Sequence, residues 1–396
     1  MEDINNQSVN FSVSDKKPSL WQKFISFLKN TYNRKNKKGW ILTLVFVLVV
    51  ALLTAILYRY GIASQRGESG FNLVDSALFK TKESEKKKAK ISNEEVSENA
   101  DRHPLAVIVE NHPDARSQSG LTNASIVFEA ITEGGITRFM ALFSPFDAKE
   151  VGPVRSARSF FVDWAEGFNA YYAHAGGAMD ALQKISADGV MDLPHTNGYF
   201  ERKSYQQVAS EHTLYSSTKE LYDLAKQKGF SEVASYTPWK YQDESDLAER
   251  GNQDSVTINY GGSYQVEWKY NREKNIYDRY LAGQKHTDRN NNEQIVANNI
   301  VIITVPRAPI QLPGAKATFE FDTIGTGKAS LISNGKEQIG VWKKSDSKSQ
   351  IIFSNSDGVE YQLNSGKTWV EVVPPDFSYV ITENTVTTST TATTGI

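Results

Sequence analysis

The chain contains no cysteine, which excludes disulfide bonds, thiolate metal sites, a cysteine nucleophile and a lipid-modified cysteine. It also has little excess charge, because the formal net charge is −2 over 396 residues. A chain this close to neutral has no general attraction for nucleic acid, so we expect no nucleic-acid partner. Any site for an anion must therefore be a local one.

Histidine is scarce, and the six histidines lack the two-His helical spacing of a zinc hydrolase. A metal site would have to be assembled from distant segments, with His112, His174 and His212 near predicted element ends. The sequence therefore predicts no metal site, and it leaves the cofactor open. A G-x-S-x-G nucleophile elbow is also missing. Residues 325–328, GTGK, lack the first glycine and the final Ser/Thr of a phosphate loop and are interpreted as a hairpin turn.

Residues 40–58 are 19 uncharged and almost wholly apolar residues, about the length that crosses a hydrocarbon core of roughly 30 Å. They predict a single transmembrane helix. Residues 1–39 carry eight Lys/Arg residues, whereas the twenty residues after the span carry only two, so the positive-inside rule places residues 1–39 in the cytoplasm and the main domains outside. A cleaved signal peptide is the alternative, but its apolar region would be shorter and nearer the N-terminus.

Two segments are too polar to form a core. Residues 59–100 are predicted to be a charged linker, since only Ile91 and Val96 in its second half favour burial. Residues 376–396 are predicted to be a disordered, threonine-rich tail.

Residues 101–245 mix apolar runs of strand length with helical periodicity, which predicts a layered α/β domain. The strands are expected at residues 105–109, 124–131, 137–143 and 170–174, and the helices at 159–168, 178–185 and 218–228.

Residues 250–375 predict a mostly antiparallel β domain. The pair Gly261-Gly262 separates two strands, 255–260 and 263–270, as in a hairpin, and further short strands follow at intervals punctuated by turns. The predicted fold class is therefore α+β: a layered α/β domain followed by a mostly antiparallel β domain, behind one transmembrane helix.

The stretch from 152 to 177, GPVRSARSFFVDWAEGFNAYYAHAGG, contains the best candidate for an anion site. Arg155 and Arg158 lie three apart at the start of a predicted helix, so their side chains could share one face beside unpaired backbone N–H groups. Planar guanidinium groups suit a phosphate or a carboxylate. The alternative, left open by the sequence, is that both arginines pair with internal carboxylates such as Glu129 or Glu133.

A second group of polar residues lies at the ends of predicted strands. It contains carboxylates that could perform acid–base chemistry only if they converge, beside glycines that let a backbone approach a ligand. Ordinary turn and cap chemistry is the alternative for most of them. The complete set of predicted ligand-binding residues is Glu110, Asn111, Glu129, Glu133, Arg138, Arg155, Arg158, His174 and His212.

The chain resembles the YerB-like family of bacterial envelope proteins, a family of unknown function with an N-terminal and a C-terminal part. The resemblance rests on VIVENHPDARSQSGLTNASIVFEAITEGGITRFMALF, GPVRSARSFF, YAHAGG, EHTLYSS, YDRYLAGQKHTDRNNNEQIVANNIVI and GKTWVEVVP, within residues 101–375. Members are often lipoproteins, and this chain departs from them in its predicted transmembrane anchor. The resemblance implies the two-part architecture and no particular reaction.

A shorter stretch is similar to the LytR-CpsA-Psr ligases, which are also single-pass proteins. The similarity consists of Thr137-Arg138, the Arg155/Arg158 pair and an aromatic run that ends in Gly176-Gly177. It implies that Arg155 and Arg158 hold the pyrophosphate of a lipid-linked precursor.

The sequence thus favours a membrane-anchored extracytoplasmic protein that binds an anionic, phosphate- or carboxylate-bearing envelope ligand. The expected partners are the membrane and an envelope glycan or lipid pyrophosphate. One alternative is a transferase or hydrolase acting on a lipid-linked, phosphate-bearing glycan precursor. A second is a structural interaction protein in which the arginines are internal.

Overall fold

The computed structural model describes residues 21–22, 26, 41, 43–55, 86–311 and 318–383. The chain divides into two compact units, Met1–Glu83 and Ser84–Ile396. In the first unit all described residues are helical. The predicted transmembrane span 40–58 lies partly outside the described residues, as do most of residues 1–39 and the part of the predicted linker from 59 to 85. Among the described residues, no helix is both long and apolar enough to cross a membrane.

The second unit is built mainly from strands. Its α-helices are α1 (Ser159–Gly167), α2 (Met179–Asp188) and α3 (Thr218–Gln227). Its strands up to residue 250 are β1 (Lys87–Lys88), β2 (Glu95–Val96), β3 (Leu105–Glu110), β4 (Ile126–Ile131), β5 (Thr137–Phe143), β6 (Tyr171–His174), β7 (Asp192–Pro194), β8 (Glu201–Arg202), β9 (Leu214–Tyr215) and β10 (Lys240–Gln242). The later strands are β11 (Gln253–Asn259), β12 (Gln265–Asn271), β13 (Ile276–Leu281), β14 (Gln284–Lys285), β15 (Val296–Ala297), β16 (Asn299–Thr304), β17 (Arg307–Ile310), β18 (Thr318–Phe321), β19 (Gly325–Ser333), β20 (Lys336–Lys344), β21 (Ile352–Asn355), β22 (Gln362–Asn364), β23 (Thr368–Val373) and β24 (Tyr379–Glu383).

A ten-stranded mixed sheet forms the centre of this unit, in the order β21-β20-β19-β16-β23-β4-β5-β3-β6-β7. Its middle strands are buried on both faces, which explains why they read as continuous apolar runs. In β3 the side chains of Ala106 and Ile108 enter one core and those of Leu105, Val107 and Val109 the other. Helix α1 covers the first face. Helix α3 and the antiparallel sheet formed by β11–β15 and β24 cover the second.

The two predicted domains share the ten-stranded sheet. Strand β23, the last long strand of the segment 250–375, pairs in parallel with β4 from the segment 101–245, with Thr368 opposite Ile126. The chain from Ser84 onward is accordingly one compact unit. Two sequence segments therefore build a single sheet, and both contribute residues to the core on each of its faces. The predicted α+β fold class is confirmed.

Two polar segments are more ordered than the sequence predicts. Residues 86–100 of the predicted linker fold back as β1 paired with β2, and Ile91 is buried in the core at 2% exposure. Ala89 and Ala100 are buried as well, and Tyr241 donates a hydrogen bond to the Ile91 carbonyl. In the predicted disordered tail, β24 pairs with β11, while residues 384–396 lie outside the described residues.

Smaller differences concern turns. The GTGK segment is the start of strand β19, paired with β20, and not a hairpin turn. Its Gly327 is required because a Cβ there would lie 2.4 Å from Nε1 of Trp342. The three predicted helices of the segment 101–245 are confirmed within one to three residues at either end.

Candidate functional site

The arginine-bearing stretch before α1 is extended rather than helical, so the prediction that Arg155 and Arg158 share a helical face is wrong. The Arg155 N–H donates to the Ile108 carbonyl, and Ala157 bridges to Gly177. Arg158 is the N-cap of α1 with φ −133° and ψ 143°. Backbone pairing with β3 and with the Gly-Gly segment holds the stretch in place before the first helical turn begins. The two guanidinium groups consequently form ion pairs with different carboxylates.

One group of side chains, the Glu133 cluster, consists of Glu133, Arg138 and Arg158. Arg138 Nη2 donates to Glu133 Oε1 at 3.0 Å and Arg158 Nε to Oε2 at 3.0 Å, while Arg158 Nη2 also contacts Oε1. Glu133 lies in a turn where Gly134 and Gly135 have φ of +67° and +77°, a conformation that favours glycine. The internal pairing left open by the sequence is thus present for both arginines, for Arg158 with Glu133 and for Arg155 with the buried Glu110.

The charges of this cluster shift the pKa values of its members. Burial opposes ionisation of Glu133, yet the guanidinium groups of Arg138 and Arg158 outweigh it and lower the pKa of that carboxyl to about 2. Burial, together with the positive charges of Arg158 and Arg155, lowers the pKa of Arg138 to about 10. Arg138 and Arg158 therefore share one carboxylate, Glu133, while the nearby Arg155 adds to the positive charge that Arg138 experiences.

We expect Glu133→Gln to destabilise the protein at pH 7 by about 2–3 kcal/mol, because it removes an ionised carboxylate held by two arginines. A folded-state pKa of about 2, against 4.5 for the ordinary group, places this stabilisation above pH 4.5. It is lost as the pH falls from 4.5 toward 2. Urea unfolding of wild type and variant across this range measures the difference. A difference that does not change with pH would contradict the assignment.

A second group, the Glu110 cluster, consists of Glu110, Arg155, His212 and Glu211. Glu110 is almost fully buried; its Oε1 forms an ion pair with Arg155, whose Nε is 3.0 Å away, and its Oε2 is hydrogen-bonded to His212 Nδ1 at 2.8 Å. Arg155 also lies near the exposed Glu211, with Nη2 and Oε1 3.6 Å apart. Glu110 and Arg138 are opposite each other in the β3–β5 pairing, so this cluster adjoins the Glu133 cluster at one end of the sheet.

The third group, the Arg279 network, is fully buried and contains the remaining predicted carboxylate, Glu129. Arg279 on β13 donates to Glu129, to Oε1 of Glu371 at 2.8 Å and to Nδ1 of His286 at 3.0 Å. Burial and the charge of Arg279 hold the pKa of His286 well below its usual value, so a neutral imidazole accepts this hydrogen bond. Trp369 and Trp268 lie 4.2 and 4.9 Å from the guanidinium carbon.

Asn111 links the Arg279 network to the Glu110 cluster. Its amide nitrogen donates to Thr137 Oγ1 at 2.7 Å and to Glu129 at 3.3 Å. The Gln118 amide nitrogen donates to the Asn111 side-chain oxygen and to the Glu110 carbonyl, both at 2.9 Å. Asn111 and Glu129 therefore serve the interior of the protein, which gives them a structural role in place of the predicted ligand contact.

Arg279, Glu371 and His286 are not among the residues that the sequence predicts for the site. The signal for Arg279 was the alternation of β13, in which Tyr277, Arg279 and Leu281 share the inward face. An arginine on the apolar face of a strand requires buried acidic partners, which Glu129 and Glu371 provide.

His174 stands apart from the other predicted residues. Its Nε2 lies 2.9 Å from Asp192 Oδ1 and its Nδ1 2.6 Å from the Gly176 carbonyl oxygen. These contacts connect β6 to β7 and to the glycine turn. The structure thus places Glu110, Glu133, Arg138, Arg155, Arg158 and His212 in two adjoining clusters, and it places His174, Asn111 and Glu129 elsewhere.

A cavity of about 530 Å³ lies on another part of the molecule. It is bordered by Arg102, His103, Tyr171 and Tyr222 and by none of the nine predicted ligand-binding residues.

Comparisons with known proteins match the second unit over most of its length. The model of the N-terminal domain of a "protein of unknown function (DUF3048)" matches residues 91–231, and the corresponding C-terminal domain model matches residues 256–370. The chain is 33% identical over 280 residues to a Bacillus subtilis (strain 168) protein named "Putative lipoprotein YerB", covering 69% of this chain and 82% of that protein.

A solved structure supports the same relationship. The crystal structure of the YerB protein from Bacillus subtilis aligns with a TM-score of 0.66 at 30% identity, covering 74% of this chain and all of that chain. The resemblance to a YerB-like family is thereby confirmed. The similarity to LytR-CpsA-Psr ligases finds no support in these comparisons.

Proposed function

This chain belongs to the DUF3048 family of YerB-like proteins, and from that premise we propose that it is a membrane-associated, extracytoplasmic protein that binds an anionic envelope ligand. The binding site is the Glu133 cluster together with Arg155. The observation that carries the proposal is the excess of guanidinium groups around the Glu133 carboxylate.

Unsatisfied donors support an additional anion. In the part of the chain that the structure describes, the buried Nε of Arg138 has no hydrogen-bond partner. The Arg158 side chain does not cap α1, and the first turn of that helix contains no acidic residue. The positive end of the helix dipole therefore adds to the charges of Arg158 and Arg138.

Glu133 occupies the position that a ligand's acidic group would take. A carboxylate held by two guanidinium forks has the same chemistry as a bound phosphate or ligand carboxylate. Its turn faces open space at the two glycines, because a Cβ at Gly134 or Gly135 would meet no atom within 4 Å. Displacement of Glu133 by a more highly charged anion is the binding step that we propose.

The proposed location at the outer side of a membrane is supported by the N-terminal sequence and by the similarity to a protein named as a lipoprotein. A lipoprotein is attached to a membrane through a lipid, commonly on a cysteine, whereas this chain has no cysteine. The apolar residues 40–58 behind eight positive charges supply an equivalent anchor, with the DUF3048 segments outside. Leu44, Phe46 and Leu48 in this span are each more than half exposed, as lipid-facing side chains are.

The proposal is tested by titrating the full chain, in detergent, with inorganic pyrophosphate. Glu133→Gln removes the competing charge and is expected to bind pyrophosphate about tenfold more tightly than wild type. Pyrophosphate should also raise the melting temperature of this variant. The matched control is Asp376→Asn, which releases Arg307 from a carboxylate at 2.8 Å outside the cluster. This control is expected to bind like wild type.

Equal or weaker binding by Glu133→Gln, or no binding by either protein, would overturn the anion site. Analysis of the pyrophosphate after incubation separates a binding protein from a hydrolase. Intact pyrophosphate is expected.

A further inference from the structure

Three side chains outside the Glu133 cluster are arranged like metal ligands. His112, Asp114 and His212 each offer one ligand atom, and these atoms all lie within 4.8 Å of one another. Within residues 86–311 and 318–383 no other set of three or more His, Asp or Glu side chains does so.

Two short turns bring these residues together. His112 is the N-cap of the 3-10 turn Pro113–Ala115, and His212 is the last residue of the 3-10 turn Ser210–His212. The two imidazole rings are stacked, with centroids 4.8 Å apart and planes 16° from parallel. Asp114 is exposed and His112 is about one-third exposed, so both can rotate to close on an ion that arrives from solvent.

The imidazole ring of His212 is hydrogen-bonded to a carboxylate, as is common for histidines that bind zinc. Its Nδ1 lies 2.8 Å from the buried Glu110 carboxylate, which leaves Nε2 as the nitrogen available to an ion. A carboxylate on the second nitrogen fixes the ring orientation and makes the free nitrogen a better ligand. Glu110 is itself fixed by Arg155 at 3.0 Å.

We propose that His112, Asp114 and His212 bind a divalent transition-metal ion of the Zn²⁺ type, with Glu110 as a positioning residue. Two imidazoles and one carboxylate suit Zn²⁺ and its neighbours in the first transition row, whereas Mg²⁺ and Ca²⁺ require oxygen ligands. Three protein ligands leave a fourth position for water or for an oxygen of a ligand.

The test uses the full chain without a histidine tag, purified in detergent and stripped with a chelator. Titration with Zn²⁺ against a chromophoric competitor is expected to show a single ion per chain. Co²⁺ should bind at the same site and show the visible absorption of a tetrahedral complex. The double variant His112→Ala/His212→Ala should lose at least about 100-fold in affinity, and Glu110→Gln about 10–100-fold.

Two further variants separate ligation from folding. His195→Ala removes an exposed imidazole outside the group and should bind Zn²⁺ like wild type. Asp114→Asn changes an exposed ligand, and it should lower Zn²⁺ affinity at least tenfold without changing the melting temperature of the metal-free protein. Failure of wild type to bind either metal, or wild-type affinity in Asp114→Asn, would overturn the proposal. Pyrophosphate binding in the absence of metal is a separate measurement, so this site and the anion site can fail independently.

Discussion

A polypeptide of residues 84–250 is expected not to fold, although it contains the whole N-terminal family segment. Without the rest of the chain, β4 loses its parallel partner β23. The buried Glu129 carboxylate also loses Arg279, and an unpaired buried charge is costly. The free energy of unfolding of a domain is only about 5–15 kcal/mol. We expect the loss of a central strand and of a buried ion pair to cost more than this.

Circular dichroism, amide NMR dispersion and urea unfolding check this expectation. The control polypeptide, residues 84–396, should unfold cooperatively because it is the complete compact unit. Adding residues 251–396 as a second polypeptide should restore structure to the fragment, since it supplies β16, β23 and Arg279. A dispersed spectrum and cooperative unfolding of 84–250 alone would show that the shared sheet is dispensable.

Arg279→Met is expected to destabilise the folded protein by about 3–5 kcal/mol. Arg279 is completely buried and is the shared partner of Glu129 and Glu371. Its removal leaves two carboxylates close together in the core. Burial and the charge of Glu129 already raise the pKa of Glu371, so the loss should shrink toward acidic pH, where protonation relieves the repulsion.

Urea unfolding at several pH values measures this effect. The control is Lys219→Met, which breaks an exposed pair with Asp223 on α3 and should leave the free energy of unfolding almost unchanged. Replacing the ion triad together, as Glu129→Gln/Arg279→Met/Glu371→Gln, should recover part of the lost stability because no charge remains buried. A loss for Arg279→Met no larger than that of the control would contradict the buried network.

The positions of individual helices and strands can be predicted from the sequence, but the pairing between distant strands cannot. The apolar residues Phe160, Phe161 and Trp164 share one face of α1, and their helical spacing is readable without a structure. The pairing of β23 with β4 depends on how two distant segments align. Hydrophobic periodicity describes each segment separately and does not show which strands pair. This is why residues 101–245 and 250–375 were predicted as separate domains.

The candidate site was predicted in its residue types but not in its arrangement. The Glu133–Arg158 pair was one of the alternatives that the sequence left open. Arg155 instead pairs with Glu110, because the extended stretch before α1 directs it across β3. The grouping of His112 with His212 depends on two short turns that are remote in sequence, and neither turn has a periodic signal.

The position of β23 also determines when the protein can fold during its synthesis. The ribosome completes β4 long before β23, so the centre of the sheet can be assembled only after the segment between them has been synthesised. Pairing between strands this far apart in the chain is slow, because the long intervening loop must be closed first. Before β23 is available, the edge of β4 that it covers is unpaired, and an unpaired strand edge favours aggregation. The order of synthesis therefore leaves β4 without its parallel neighbour until β23 has been made.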